Sequence, residues 1–205
     1  MTAELIRVVP VLDGQEQQQL LAFVQQQPFA SSTVFGPGGE AMDQHPARTS
    51  SSVLLDEQHA STQLLHERLN QAVLHYALQL QQWHPAYYGW PLPGAPGVQS
   101  WREPLQALRY QPGERYTYHQ DCHFSASNPA SKRVLSVVLY LNADFSGGET
   151  EFAGRRIKPS PGEAVMFPSN WCFPHAGCEV FSGTKYALVT WYHAHDLMPI
   201  TAASS

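Results

Sequence analysis

From residue 105 onward the sequence is a succession of short β-type segments cut by turn residues, and that limits the chain to a few mainly β folds. LQALRY, RVLSVVLYL, ETEF, EAVMF and TKYALVTWYH are the clearest segments, separated by PG, SGG, AG and PSPG breaks. Within RVLSVVLYL, Leu135, Val137, Leu139 and Leu141 point one way while Ser136, Val138 and Tyr140 point the other. A uniformly apolar face predicts a layer covered by helices; the mixed face predicts the lining of an interior. Ser146-Gly147-Gly148 reads as a turn with left-handed backbone, and Glu149 and Glu151 alternate with Thr150 and Phe152 as in an ordinary strand.

The first 104 residues read differently. Asp13 with Glu16 three positions on resembles a capping box opening a helix that runs to about Gln27, before Pro28. Leu65, Leu69, Val73, Tyr76, Leu80 and Trp83 recur at steps of three and four, which predicts a long helix over 62–83 with one buried face. Residues 31–52, rich in Gly, Ser and Pro, predict loop. So does 84–104, where Pro85, Pro91, Pro93 and Pro96 alternate with Tyr87, Tyr88, Trp90 and Trp101; a loop of this length suits a lid over a site. No repeat or linker marks a second domain. The expectation is a single α+β, mainly β domain over 1–205. It has a helical and loop-rich part (1–104), a β core (105–196) and a tail (197–205), with the N-terminal helices packed on one sheet of a sandwich or barrel.

Composition narrows the function classes. A 205-residue chain with 43% apolar residues can build one substantial core. Only 12 Lys and Arg are present, the net charge is −5 and no basic run occurs, so nucleic acid is not expected as a partner. The N-terminus MTAELIRVVPVLDG lacks a signal-peptide pattern, and no apolar stretch is long enough to span a bilayer. A soluble cytoplasmic protein without a membrane partner is the expectation. The three cysteines, Cys122, Cys172 and Cys178, suggest no disulfide framework.

The chemistry concentrates in Tyr118-His119-Gln120-Asp121. On an extended backbone His119 and Asp121 project to one face, where an imidazole and a carboxylate can chelate one metal ion. His175, in FPHAG, is the best third ligand. Two histidines and a carboxylate leave half of an octahedron open, the layout of non-haem iron(II) oxygen chemistry. His-x-Asp alone also fits a buried His–Asp hydrogen bond. A set including His123, or a zinc-like trio of Cys172, His175 and Cys178, stays open on residue types alone. Lys185 opens a strand whose interior is otherwise Ala187, Val189 and Trp191. A snorkelling lysine is the ordinary outcome there, but beside a metal it can pair with an anionic co-substrate.

Taken in order, YQPGERYTYHQD, SKRVLSVVLYLNADFSGGETEF, PSPGEAVMFPSN and PHAGCEVFSGTKYALVTWYH resemble the catalytic core of the prolyl 4-hydroxylase family over roughly residues 105–195. Arg48-Thr49-Ser50 resembles a more N-terminal element of the same family. The resemblance implies a double-stranded β-helix (jelly-roll) core, iron(II), 2-oxoglutarate and O2 as co-substrates, and ascorbate as a reductant. By position, His119, Asp121 and His175 resemble the iron ligands. Lys185 resembles the residue that pairs with the distal carboxylate of 2-oxoglutarate, with Tyr110 and Tyr140 beside it. Tyr116, Arg133, Trp191 and His193 fall where the family shapes the substrate side. From the residues alone Tyr110 and Tyr140 also suit plain core aromatics, and Arg133 a surface charge.

The activity so implied is hydroxylation of an unactivated C–H, on a prolyl residue of a protein or peptide, with 2-oxoglutarate decarboxylated to succinate. A free amino acid or small metabolite is the alternative substrate. A zinc hydrolase and a non-catalytic metal-binding barrel are the alternatives from other classes.

Overall fold

The computed structural model describes residues 2–35, 41–43, 46–83, 100–121 and 131–195. Two sheets face each other, with two helices on the outer side of the larger. The larger sheet runs in the order β1 (Arg7–Pro10), β13 (Glu163–Pro168), β9 (Ser131–Tyr140), β16 (Lys185–His195), β7 (Gln106–Tyr110), β5 (Ser51–Leu54) and β2 (Ala30–Ser31). A further strand, β6 (Ser100–Arg102), also pairs with β16. The smaller sheet runs β12 (Arg155–Ile157), β11 (Thr150–Phe152), β14 (His175–Gly177) and β8 (Tyr116–His119). Two ribbons complete the β structure: β3 (Thr33–Phe35) with β4 (Ala41–Asp43), and β10 (Phe145–Gly147) with β15 (Val180–Gly183). All pairings are antiparallel among the described residues, as expected of the jelly-roll core.

Helix α1 (Gly14–Gln25) starts at the Asp13–Glu16 capping box. Helix α2 (Ala60–Trp83) buries Leu65, Leu69, Val73, Tyr76 and Leu80. These side chains share one apolar cluster with Leu135, Val137, Leu139 and Leu188 of the larger sheet, so the uniformly apolar face of β9 lies under the helices. Arg68 of α2 grips Glu16 of α1 through Nε (2.8 Å) and Nη2 (2.6 Å). The Tyr192 hydroxyl of β16 donates to Asn70 of α2 at 3.1 Å.

Four expectations need correction. Trp83 ends α2 at 38% exposure rather than extending its buried stripe, which stops at Leu80 one turn earlier. The segment 31–52 is not loop throughout. It carries β3, β4 and parts of β2 and β5, and a bridge joins Arg48 to Tyr116. The N-terminal part is accordingly not only helical and loop-rich, since β1 and β2 close the two ends of the larger sheet. Of the long loop 84–104, residues 84–99 lie outside the described residues, and 100–102 form β6. Short strands rich in serine, such as Ser51-Ser52, acquire their conformation from partners distant in sequence, so no local periodicity announces them.

Candidate active site

Strands β8 and β14 are neighbours, and their register sets His119 directly opposite His175. The pairing shifts between His175 and Gly177, a bulge of the kind that re-aims side chains beside functional sites. Asp121 follows two residues after His119. One ligand atom each from His119, Asp121 and His175 lies within 4.8 Å of the other two. His119 Nε2 is 3.5 Å from Asp121 Oδ1, and His175 Nε2 is 3.6 Å from Oδ2.

Both imidazoles are oriented alike from behind. His119 Nδ1 donates to the Thr117 carbonyl (2.9 Å) and His175 Nδ1 to the Phe173 carbonyl (3.1 Å). That orients both rings with Nε2 turned toward Asp121, the arrangement a shared metal ligand requires. Burial lowers the pKa of His175, against the pull of Asp121, and so favours the neutral, ligating form. Burial alone would raise the pKa of Asp121. The hydrogen bond with His119 and the charges of the two imidazoles outweigh it, and the carboxyl sits well below the usual carboxylate range. Ser136 donates to Asp121 Oδ2 at 2.7 Å and the Trp191 side chain also hydrogen-bonds the carboxylate. Phe152 and Phe167 pack against His175, and the Tyr116 ring stacks on His119 at 3.6 Å. The donor set, one carboxylate held ionised and two imidazoles in a largely apolar shell, fits a divalent iron ion.

Lys185 lies in the same cavity, about 680 Å³ in volume, as the triad. It is only 4% exposed, and among the described residues it forms no ion pair. Its ammonium donates to the Gly148 carbonyl (2.7 Å) and to the Tyr140 hydroxyl (3.2 Å), below the rings of Tyr110 and Tyr140. Desolvation pushes its pKa down to about 7. A buried cation whose contacts are neutral suits an incoming carboxylate, so the pocket fits the distal end of 2-oxoglutarate.

The other expected residues converge as well. Arg133 stacks over Trp191 at 3.8 Å, and Tyr116, Arg133 and Trp191 line the cavity with the metal triad. His193 is buried beside them. Three residues were not singled out as site residues from the sequence. Glu103 takes Arg133 through both Nε (2.5 Å) and Nη2 (2.7 Å) and meets His193 Nε2 at 2.6 Å. Burial works to raise the Glu103 pKa, but these two partners hold it low. Thr150 shares a 2.8 Å hydrogen bond with the Tyr140 hydroxyl, inside the Lys185 pocket. Arg48, buried, lies over the outer face of Tyr116 at 5.0 Å and donates to Ser50. The Arg48-Thr49-Ser50 motif was the available signal for the last; Glu103 and Thr150 had none.

Alternative ligand sets do not assemble among the described residues. Cys172 is exposed, Cys178 contacts Glu151, and neither joins the His119–Asp121–His175 group. His123 and Cys122 lie outside the described residues. No helix among the described residues is long and apolar enough to cross a membrane.

Residues 105–193 match the family model described as 2OG-Fe(II) oxygenase superfamily. Prolyl 4-hydroxylase 1 of Arabidopsis thaliana is 33% identical over an alignment covering 43% of this chain and 40% of the relative. The chain spans less than half the length of the curated relatives it matches first. Among solved structures, the 2OG complex of a viral collagen prolyl hydroxylase from Paramecium Bursaria Chlorella virus-1 superposes with a TM-score of 0.65. It is 20% identical, covering 93% of this chain and 96% of that one. A Trichoplax adhaerens prolyl hydroxylase, in complex with a hypoxia inducible factor oxygen degradation domain peptide fragment, superposes at 0.63. It is 17% identical, covering 92% of this chain and 83% of that one. At these identities the likeness is one of fold.

Proposed function

We propose that this chain, whose residues 105–193 match the 2OG-Fe(II) oxygenase superfamily, is an iron(II)- and 2-oxoglutarate-dependent dioxygenase that hydroxylates a prolyl residue of a protein or peptide. One observation carries the reading: a two-histidine, one-carboxylate cluster and a buried lysine without an anionic partner among the described residues share one cavity. The prolyl residue is supported by the names of relatives, and a peptide by the bound fragment in the Trichoplax protein.

In this reading His119, Asp121 and His175 would hold the iron. Iron(II), with 2-oxoglutarate and O2, would supply the oxidation, one oxygen atom entering the substrate C–H and the other ending in succinate as carbon dioxide leaves. The chain's own residues position the reactants. Lys185 neutralises the distal carboxylate of 2-oxoglutarate, with Tyr140 and Thr150 beside it. The Phe152 and Phe167 rings keep water from the His175 side of the metal. Tyr116, Arg133, Trp191 and His193 form the substrate side, where Trp191 also restrains the ligand carboxylate.

The test is succinate formation from 2-oxoglutarate by the iron-loaded protein, with mass spectrometry of proline-containing peptides for one added oxygen. Succinate with an oxidised peptide is the expected result. Oxidation of free amino acids but not peptides would replace the substrate. Turnover with zinc and no need for 2-oxoglutarate would replace the reaction.

A further inference from the structure

Behind the substrate side of the cavity lies a second polar cluster, Glu57, His66 and Arg102, on the helix-covered side of the larger sheet. The Arg102 side chain is nearly buried, and its guanidinium joins three elements. Nη1 donates to the Glu103 carbonyl (2.5 Å) and to Thr190 Oγ1 of β16 (3.2 Å). Nη2 reaches Glu57 Oε2 at 3.3 Å and lies 2.6 and 2.8 Å from the two ring nitrogens of His66 on α2. Glu57 also bonds His66, and its other oxygen accepts the Leu105 backbone N–H at 3.1 Å. Thr190 Oγ1 donates to the Glu103 carbonyl at 2.7 Å, and the Glu103 N–H donates to the Trp191 carbonyl at 2.9 Å.

These bonds secure the three-residue segment Glu103-Pro104-Leu105 at both ends. Pro104 has no N–H of its own to contribute. The segment carries one charged side chain, the Glu103 carboxylate, through to the cavity, where it holds Arg133 and His193. Without its anchors the carboxylate has no fixed origin, and the Arg133 fork and the His193 ring lose their common reference point. Lys185 draws on none of these bonds, and the metal triad meets them only at their far end, where Arg133 Nη1 lies 3.5 Å from the Asp121 carbonyl and the Trp191 side chain bonds the Asp121 carboxylate.

We propose that Glu57, His66 and Arg102 are positioning residues for the substrate side of the active site: they fix Glu103, and through it Arg133 and His193, and so set substrate affinity independently of the Lys185 pocket. The proposal rests on the proposed function for the assignment of Arg133 and His193 to the substrate side.

The experiment uses the full chain and compares wild type with Arg102→Gln, Arg102→Lys and Glu57→Gln. In the ligand-free protein, solvent exchange of the Arg133 Nε–H, followed by nitrogen NMR, reports whether Glu103 still holds it. Loss of one charge-assisted anchor predicts exchange about tenfold faster in Arg102→Gln. With iron(II), 2-oxoglutarate and a proline-rich peptide, the same variant raises the peptide KM by about tenfold. The KM for 2-oxoglutarate and the slow succinate formation without peptide stay within about twofold. Arg102→Lys recovers part of the effect, since an ammonium can still reach the Glu103 carbonyl. Glu57→Gln shows the same pattern more weakly and serves if Arg102→Gln does not fold. Unchanged Arg133 exchange in the folded variants overturns the proposal, and so does a peptide KM that moves only in step with the 2-oxoglutarate KM and melting temperature. Should the wild type make no succinate, it is the proposed function that fails, and the exchange measurement alone decides the positioning role.

Discussion

Lys185 concentrates the electrostatics of the site. Below about pH 7 it carries its proton already in the ligand-free protein; above that it must take one up when a carboxylate arrives. Affinity for 2-oxoglutarate is therefore expected to fall as pH rises above 7, by at most about tenfold per pH unit, measurable by calorimetry across that range. Truncation at Lys185→Ala leaves the carboxylate unpaired in a desolvated pocket. A cost of about 2–5 kcal/mol, or roughly thirty- to several-thousand-fold in 2-oxoglutarate affinity, follows, with iron binding nearly unchanged. The same burial penalises the folded ligand-free protein. Its lysine pKa lies below the ordinary 10.5, so the unfolded chain holds more protons between pH 7 and 10.5 and stability rises through that window. Lys185→Met removes the penalty, and the ligand-free variant should melt higher than wild type at about pH 6 while losing 2-oxoglutarate. A lower melting temperature would show that the bonds to Gly148 and Tyr140 outweigh desolvation.

At the scale of elements, the turn between β10 and β11 decides where that lysine rests. Gly148 has φ +68°, and a Cβ there would stand 2.9 Å from Phe145, 3.1 Å from Val180 and 3.2 Å from Lys185 Cδ. Gly148→Ala is thus strained in its backbone and presses on the lysine stem. It should raise the 2-oxoglutarate KM while metal affinity, governed by β8 and β14, changes little; a loss confined to metal binding would contradict this. At the opposite end, Asp13→Ala removes the α1 capping box at a cost of about 1 kcal/mol in a denaturant melt, with kinetic constants unaltered. The difference between these elements also explains what the sequence disclosed. His119-x-Asp121 and the strand opening at Lys185 were legible because side-chain direction follows directly from strand period. The left-handed backbone at Gly147 and Gly148 was legible from the glycines, although Ser146 and Gly147 belong to strand β10 rather than to a turn. Glu103 lies in a proline-flanked stretch with no period, and Thr150 looks like any strand threonine. Both acquire meaning only when β16 and β9 bring Arg133, His193 and Tyr140 to them. Strands β2 to β5 were hidden for the same reason: their partners, not their own pattern, define them.

For the whole molecule, the arrangement separates two loads that bind in one cavity. The proposed iron ligands come from β8, β14 and the residue pair following β8, while Lys185, the proposed co-substrate lysine, opens β16 of the opposite sheet. Each load binds the folded chain and not the unfolded one, so each should raise the melting temperature by mass action. A ligand at about a hundred times its dissociation constant adds roughly 2.7 kcal/mol, and for a domain of this size each kcal/mol moves the midpoint by about 2–4 °C. A divalent metal alone is expected to shift the wild-type midpoint upward, and 2-oxoglutarate to add a second increment only once metal is present, because its other end needs the iron. Asp121→Ala should abolish both increments. Lys185→Ala should keep the first and lose the second. If 2-oxoglutarate stabilised the Lys185→Ala protein as strongly as wild type, its carboxylate would be held elsewhere; if it stabilised metal-free wild type fully, the triad would not take part in binding it.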